Sequence, residues 1–267
     1  MKILITGGTG TLGRLVVPRL RDAGHSVRVL SRQSHMAAQG IEYASGDLVT
    51  GEGIESAVSG AESIVHLAGT RKGDEGKARH LAAAASRTGA PHLVYVSVVG
   101  AERVPVSSPL DRAMFGYFES KLAAERVVAN SGLPWTTLRA TQFHQSLLKL
   151  VQQMAKLPVV LVPAGWRFQP VDAGEVAGRL VELTQGRPSG LVQDFAGPHI
   201  YEMADLVRSY LRLGGKRRLI LPVWTPGKAA RAVRAGANLS LDRAVGRRTW
   251  EDFLAGQMIA PNNASRT

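Results

Sequence analysis

No cysteine occurs among the 267 residues of the chain. This excludes disulfides, thiolate nucleophiles and cysteine-ligated zinc or iron–sulfur centres, and it suits a reducing compartment. Also lacking is any stretch approaching the ~18 apolar residues that a membrane-spanning helix needs. The start, Met1 and Lys2 before a three-residue apolar run, has no signal-peptide core. The expected location is the cytoplasm, with no membrane span. The seven histidines (25, 35, 66, 80, 92, 144 and 199) are scattered without zinc-site spacing, so no metal is expected.

What is present describes an ordinary globular chain, 45% hydrophobic and 20% charged. Its formal net charge of +12 is unevenly placed: between Val207 and Arg248 stand eleven Lys or Arg and one acid, Asp242, a net of +10. Such a segment could track phosphates, but it carries no recognisable DNA-binding motif and few aromatics to stack on bases. A solvated basic face is expected, not a nucleic-acid site.

The hydrophobic pattern alternates between strand and helix. "KILIT" is a short β-branched run; after the glycines, Leu12, Leu15, Val16, Leu20 and Ala23 fall on one helical face, which Gly24 ends. "SVRVLSR", "IEYASGDL", "SIVHLAGT", "HLVYVSVVG" and "PWTTLRA" supply five more strands. "GIESAVSGA", "KARHLAAAASRTGA" and "YFESKLAAERVVANSG" read as helices among them. Six strands alternating with helices predict an α/β fold with a parallel, doubly wound sheet over residues 1–145. Residues 146–267 predict a smaller mixed α/β lobe, with short strands near "LPVVLV", "LVQDFA" and "RLILPV", and with the 172–185 helix packing back on the core.

"ITGGTGTLGR" places four glycines between the first strand and the first helix. At that junction free backbone N–H groups and the helix dipole favour an anion, and a pyrophosphate fits only where side chains stay away. The run parses as Gly8-x-Gly10-x-x-Gly13 or as Gly7-x-x-Gly10-x-x-Gly13, and spacing does not choose. An acid ending the second strand would bind the ribose of NAD, whereas an arginine accommodates a 2′-phosphate. Here stand Ser31 and Arg32, so NADP(H) is expected over NAD(H). Asp47 either contacts the adenine side or caps the next turn.

A second constellation follows the fifth strand. Tyr117 and Lys121 share a helix face, and a neighbouring ammonium would favour the phenolate and bring the tyrosine nearer working pH. Ser97, at the strand end, could hydrogen-bond a substrate carbonyl at the same point. Phe115, Phe118, Phe143 and Trp166 are candidate walls of an apolar pocket, although such aromatics more often belong to the core; His144 is a candidate assisting acid or, more commonly for a lone histidine near a helix start, a hydrogen-bonded bystander.

Taken in order, "TGGTGTLG", "GDL", "HLAG", "YVSVVG", "YFESKLAAE" and "LRATQFH" resemble the short-chain dehydrogenase/reductase superfamily in its atypical, NmrA-like branch, from Met1 to about His144. "VDAGEVA" and "FAGPHIYEMADLVR" resemble that branch's smaller lobe less specifically. The resemblance implies the Gly7, Gly10, Gly13 parse, with Thr11 and Leu12 near the pyrophosphate and Asp47 and Leu48 by the adenine. It implies Ala68 and Gly69 beside the adenosine ribose, Lys121 at the nicotinamide ribose, Tyr117 as proton donor and Ser97 as its partner. Only 20 positions separate Ser97 from Tyr117, a departure from the pattern that bears on catalysis more than on binding.

The function expected is an NADPH-dependent oxidoreductase acting on a small, apolar carbonyl or quinone. A non-catalytic NADP(H) sensor of the NmrA-like type is the alternative. A sugar-nucleotide epimerase or dehydratase is a further one, against which Arg32 argues, since those enzymes usually hold NAD.

Overall fold

A computed structural model of the chain describes residues 1–33, 40–70 and 72–259. Seven strands form one sheet in the order β3-β2-β1-β4-β5-β6-β9. They are β1 (Lys2–Thr6), β2 (Ser26–Ser31), β3 (Ile41–Ser45), β4 (Ser63–His66), β5 (His92–Val98), β6 (Trp135–Ala140) and β9 (Gly190–Leu191). Every neighbouring pair is parallel. Both faces are covered by helices, and so the central strands β1, β4 and β5 are buried nearly throughout rather than alternating between core and water.

The two-residue period of a strand divides the core in two. Ile3, Ile5, Val27, Val29, Val94 and Leu138 point to one face, against α1 (Gly13–Asp22) and α6 (Ala173–Gln185). Leu4, Leu30, Ile64, Leu93 and Tyr95 point to the other, where α2 (Ile54–Val58), α3 (Asp74–Arg87) and α4 (Pro109–Ala129) pack through Ile54, Leu81, Ala85, Ala124 and Val128.

Two helices begin earlier than their apolar periodicity announces. Helix α4 starts at Pro109, not near Tyr117, because Ser108 caps it by accepting from the Asp111 amide and proline suits the first helical position. Helix α3 starts at Asp74, with Asp74 and Glu75 at the positive end of its dipole.

The remaining chain builds a third cluster. Helices α5 (His144–Met154), α7 (Met203–Leu213) and α9 (Trp250–Ile259) enclose Leu147, Val151, Met203, Leu206, Trp250 and Phe253 with β7 (Val159–Pro163) and β8 (Arg167–Phe168). Strand β10 (Tyr201–Glu202) pairs with β8, and β11 (Leu219–Val223) pairs in parallel with β7. Helix α8 (Lys228–Arg234) rests on α4 through Phe115, Ala229, Ala230 and Val233. This part of the chain interlocks with the main sheet, since β9 extends it beside β6 and α6 lies against α1. No helix among the described residues is long and apolar enough to cross a membrane.

Candidate active site

The strand order reverses direction between β1 and β4, and the carboxyl ends of the strands open a crevice there. The glycine turn lies at its centre. Gly7 has φ +71°, and a Cβ on it would stand 2.7 Å from the Ala68 nitrogen. A Cβ on Gly13 would stand 2.3 Å from the Gly7 carbonyl oxygen. The turn is therefore folded on itself, Gly13 against Gly7 and Gly8, and pressed at Gly7 against Leu67 and Ala68 just beyond β4. Thr9, Gly10 and Thr11 are exposed above the start of α1. Among the described residues nothing accepts from the amides of Thr11 and Leu12, whereas Leu12 packs its side chain into the core. An exposed, side-chain-poor cradle with unspent amides at a helix start fits a pyrophosphate.

On one flank, Ser31 ends β2 and its carbonyl accepts from the Gly46 amide at 3.0 Å, which joins the β2 and β3 ends. Arg32 is exposed next to it. Asp47 caps its own turn, one carboxylate oxygen accepting from the Val49 amide at 2.7 Å. The Leu48 side chain is buried in the core, so only its backbone can face a nucleotide; its carbonyl oxygen lies 2.9 Å from His80 Nδ1.

On the other flank is a buried polar cluster. Lys121 Nζ lies 3.2 Å from both the Tyr95 hydroxyl and the Val96 carbonyl oxygen, and 3.4 Å from Asp74 Oδ2. Asp74 Oδ1 accepts from the Thr70 amide at 2.8 Å and from Lys77 Nζ at 3.3 Å. The Asp74 amide donates to Ser120 Oγ, so the start of α3 is fastened beside Lys121 on α4. Gly69 makes room for all this: a Cβ there would meet Lys121 Nζ at 2.9 Å and Asp74 Oδ2 at 3.2 Å. His66 stacks on Tyr95 and shares a 2.6 Å hydrogen bond with the Thr6 hydroxyl. Burial, reinforced by the Lys121 charge, lowers its pKa to about 3, so the ring is neutral. His66 and Tyr95 lie within the quoted "HLAG" and "YVSVVG" stretches without being singled out there, and Asp74 and Lys77, on α3, carry no local signal that marks them.

Tyr117 lies at the mouth of this cluster, 38% exposed, with Lys121 Nζ 5.8 Å from its ring centroid. The structure reverses the expected direction of its titration. Desolvation first, then the Asp74 carboxylate, pushes the phenol upward, while the Lys121 ammonium is committed to Asp74, Tyr95 and Val96. Lys121 is itself lowered by burial, against the opposing pull of Asp74. The phenol form of Tyr117 is thus favoured over the phenolate that the neighbouring ammonium was expected to promote. Ser97 ends β5 buried, and its hydroxyl finds no partner among the described residues.

Packing decides two further alternatives. His144 is fully buried, stacked 4.9 Å from Phe253, with burial lowering its pKa to about 4; it is a core plate and not an assisting acid. Phe115 packs against Trp166 at 5.0 Å within the α4–α8 cluster and contributes to the core rather than to a pocket wall. No group of three or more His, Asp or Glu able to hold a metal occurs among the described residues, and His35 lies outside them.

A nucleotide-binding α/β sheet with its phosphate turn at the strand-order reversal is the class that these features define. Residues 7–153 match the NAD(P)H-binding family. The chain belongs to that family, and its cofactor is NAD(P)H. A (4-alkanoyl-5-oxo-2,5-dihydrofuran-3-yl)methyl phosphate reductase of Streptomyces griseus is 31% identical over 221 residues, which are 80% of this chain and 74% of that protein. A photosystem II assembly factor of Trieres chinensis is 29% identical over 192 residues, 66% of this chain and only 57% of that protein. An NADPH-dependent quinone oxidoreductase of Escherichia coli, solved with NADPH, superposes with a TM-score of 0.80 at 18% identity, over 96% of this chain and 99% of that one, and so shares the fold.

Proposed function

We propose that the protein is an NADPH-dependent oxidoreductase that reduces an apolar quinone or carbonyl. The observation that carries this is the placement of the exposed Tyr117 ring 5.8 Å from the ammonium of the buried Lys121–Asp74 pair, at the carboxyl ends of the strands beside the glycine turn. The crystal relative named as a quinone oxidoreductase and the Streptomyces reductase support the same chemistry. Gly7, Gly10, Thr11, Leu12 and Gly13 would hold the pyrophosphate, Asp47 and Leu48 the adenine side, Ala68 and Gly69 the adenosine ribose, and Lys121 the nicotinamide ribose. Ser31 and Arg32 would receive the 2′-phosphate, which favours NADPH over NADH.

When bound, the nicotinamide supplies a hydride to the electrophilic carbon or quinone. Tyr117 gives its proton to the oxygen that gains the electron pair, and solvent restores that proton through the exposed side of the ring. The Ser97 hydroxyl orients the accepting oxygen. Lys121 holds the ribose and keeps a positive charge near the developing oxyanion. In this division of labour residues 1–145 bind the dinucleotide and residues 146–267 shape the substrate side, and the cytoplasm is the compartment.

The test is NADPH oxidation with a panel of quinones and aldehydes, wild type against Tyr117→Phe. Turnover that falls about 10²–10⁴-fold in the variant, with nucleotide affinity unchanged, supports the proposal. A non-catalytic NADP(H) sensor is the second reading, favoured by the similarity to an assembly factor. Saturable NADPH binding with no turnover on any substrate would select it.

A further inference from the structure

Strands β7 and β11 carry an apolar face that none of the described residues covers. Their parallel register sets Leu219, Leu221 and Val223 beside Val159, Leu161 and Pro163. The alternate residues, Val160 and Val162, are buried against the third core cluster, and Ile220 packs there as well. The outward set is therefore fixed by the two-residue period of the strands. Leu161 is 52% exposed, Leu219 60%, Leu221 42% and Val223 41%; Trp224, just beyond the strand, is 67% exposed. Scattered exposed leucines are ordinary, but a contiguous cross-strand group of this kind marks a contact surface.

Its surroundings are one-sided in charge. Lys216, Arg217 and Arg218 lead directly into β11, and with Arg208 and Arg212 they line a surface hollow of about 520 Å³ between α7 and that strand. Among the described residues none of Lys216, Arg217 and Arg218 has an ion-pair partner. At the other end of the strand the Arg234 guanidinium lies 3.8 Å above the Trp224 ring and donates to the Thr225 carbonyl, which steadies that indole at the surface. No acidic residue occurs from 145 to 171 or from 206 to 241, the segments holding both strands.

We infer that this face docks the protein on an anionic lipid bilayer. Apolar side chains at the tip, a tryptophan at the rim and unpaired cations around them match a membrane interface, where aliphatic groups enter the acyl boundary and cations meet anionic headgroups. A second copy seated on this face would bring a further Lys216, Arg217 and Arg218 to a surface that already carries those three cations without ion-pair partners among the described residues. A nucleic acid would satisfy the cations and leave the leucines against water. The inference does not depend on the proposed reductase activity.

Co-sedimentation of the full chain with phosphatidylcholine vesicles, and with vesicles containing 30% phosphatidylglycerol, tests it at 0.1 M and 0.5 M salt. The expected result is binding to the anionic vesicles at least about tenfold tighter than to the neutral ones, weakened by salt. Arg217→Glu/Arg218→Glu should lower it about tenfold or more, and Leu161→Ser/Leu221→Ser should lower it as well, while both variants keep the wild-type melting temperature and NADPH affinity. Equal affinity for both vesicle types, or none, overturns the inference. So does tighter binding to duplex DNA than to vesicles at matched salt, or a solution dimer that the Leu161→Ser/Leu221→Ser variant dissociates.

Discussion

The Asp74 carboxylate stands 3.4 Å from the Lys121 ammonium, with 1% and 4% of the two side chains exposed. Lys77 approaches the same carboxylate at 3.3 Å. One buried anion thus holds two buried cations, and the pair at Lys121 fixes the ammonium that faces Tyr117.

Removing that anion leaves both lysines uncompensated. Asp74→Asn is expected to destabilise the fold by ~3–5 kcal/mol, the usual cost of breaking a buried pair from one side. Asp74→Asn/Lys121→Met should recover part of the loss, because the orphaned charge goes with it. Urea unfolding of the two single variants and the double variant measures the coupling; strictly additive losses would mean that the two groups do not interact.

The phosphate turn tolerates no methyl group at its second contact with itself. A Cβ on Gly13 would lie 2.3–2.4 Å from Gly7 and Gly8 backbone atoms, which cannot rotate away as a side chain can. Gly13→Ala is expected to lower the melting temperature and to abolish NADPH binding together, as calorimetry and fluorescence titration would show. An unaltered melting temperature with unaltered binding would refute the packing argument.

Arg32 separates the two nicotinamide cofactors if it meets the 2′-phosphate. Arg32→Ala should weaken NADPH binding about 10- to 100-fold, the loss of one or two charge-assisted hydrogen bonds at ~1.5–3 kcal/mol, and leave NADH binding unchanged. Competitive titration of the two nucleotides reads the ratio directly.

Acid should destabilise the protein through its buried imidazoles. Below about pH 6.5 the unfolded chain binds a proton on each ring, whereas folded His144 and His66 remain neutral until about 4 and about 3. Their contribution to stability is complete above pH 6.5 and is lost as the pH falls toward those values, by up to ~1.4 kcal/mol per pH unit for each ring. His144→Phe, which keeps the stack on Phe253, should flatten the pH dependence of unfolding by about one proton. A variant with the wild-type slope would show that His144 titrates normally in the native state.

Local pattern carried much of this protein. The β-branched runs, the glycine turn and the 3.6-residue periodicity of the helices are near-neighbour effects, so the alternating sheet and its phosphate cradle could be read from "ITGGTGTLGR" and the strands that follow. Tyr117 and Lys121 were legible for the same reason, being one helical turn apart. The titration of Tyr117 was not, because it depends on where Lys121 spends its charge, and Asp74 comes from a different helix. Sequence left His144 open between an acid and a bystander, because nothing local to it reveals Phe253 and Trp250, which bury it from the far end of the chain. The exposed apolar face of β7 and β11 was equally hidden: both segments read only as short strands, and their pairing decided which alternate residues meet the third cluster and which meet solvent. Sequence determined the elements and the residue types at their ends; tertiary contacts between distant segments decided charge, burial and exposure, since desolvation and Coulomb energy depend on neighbours in space.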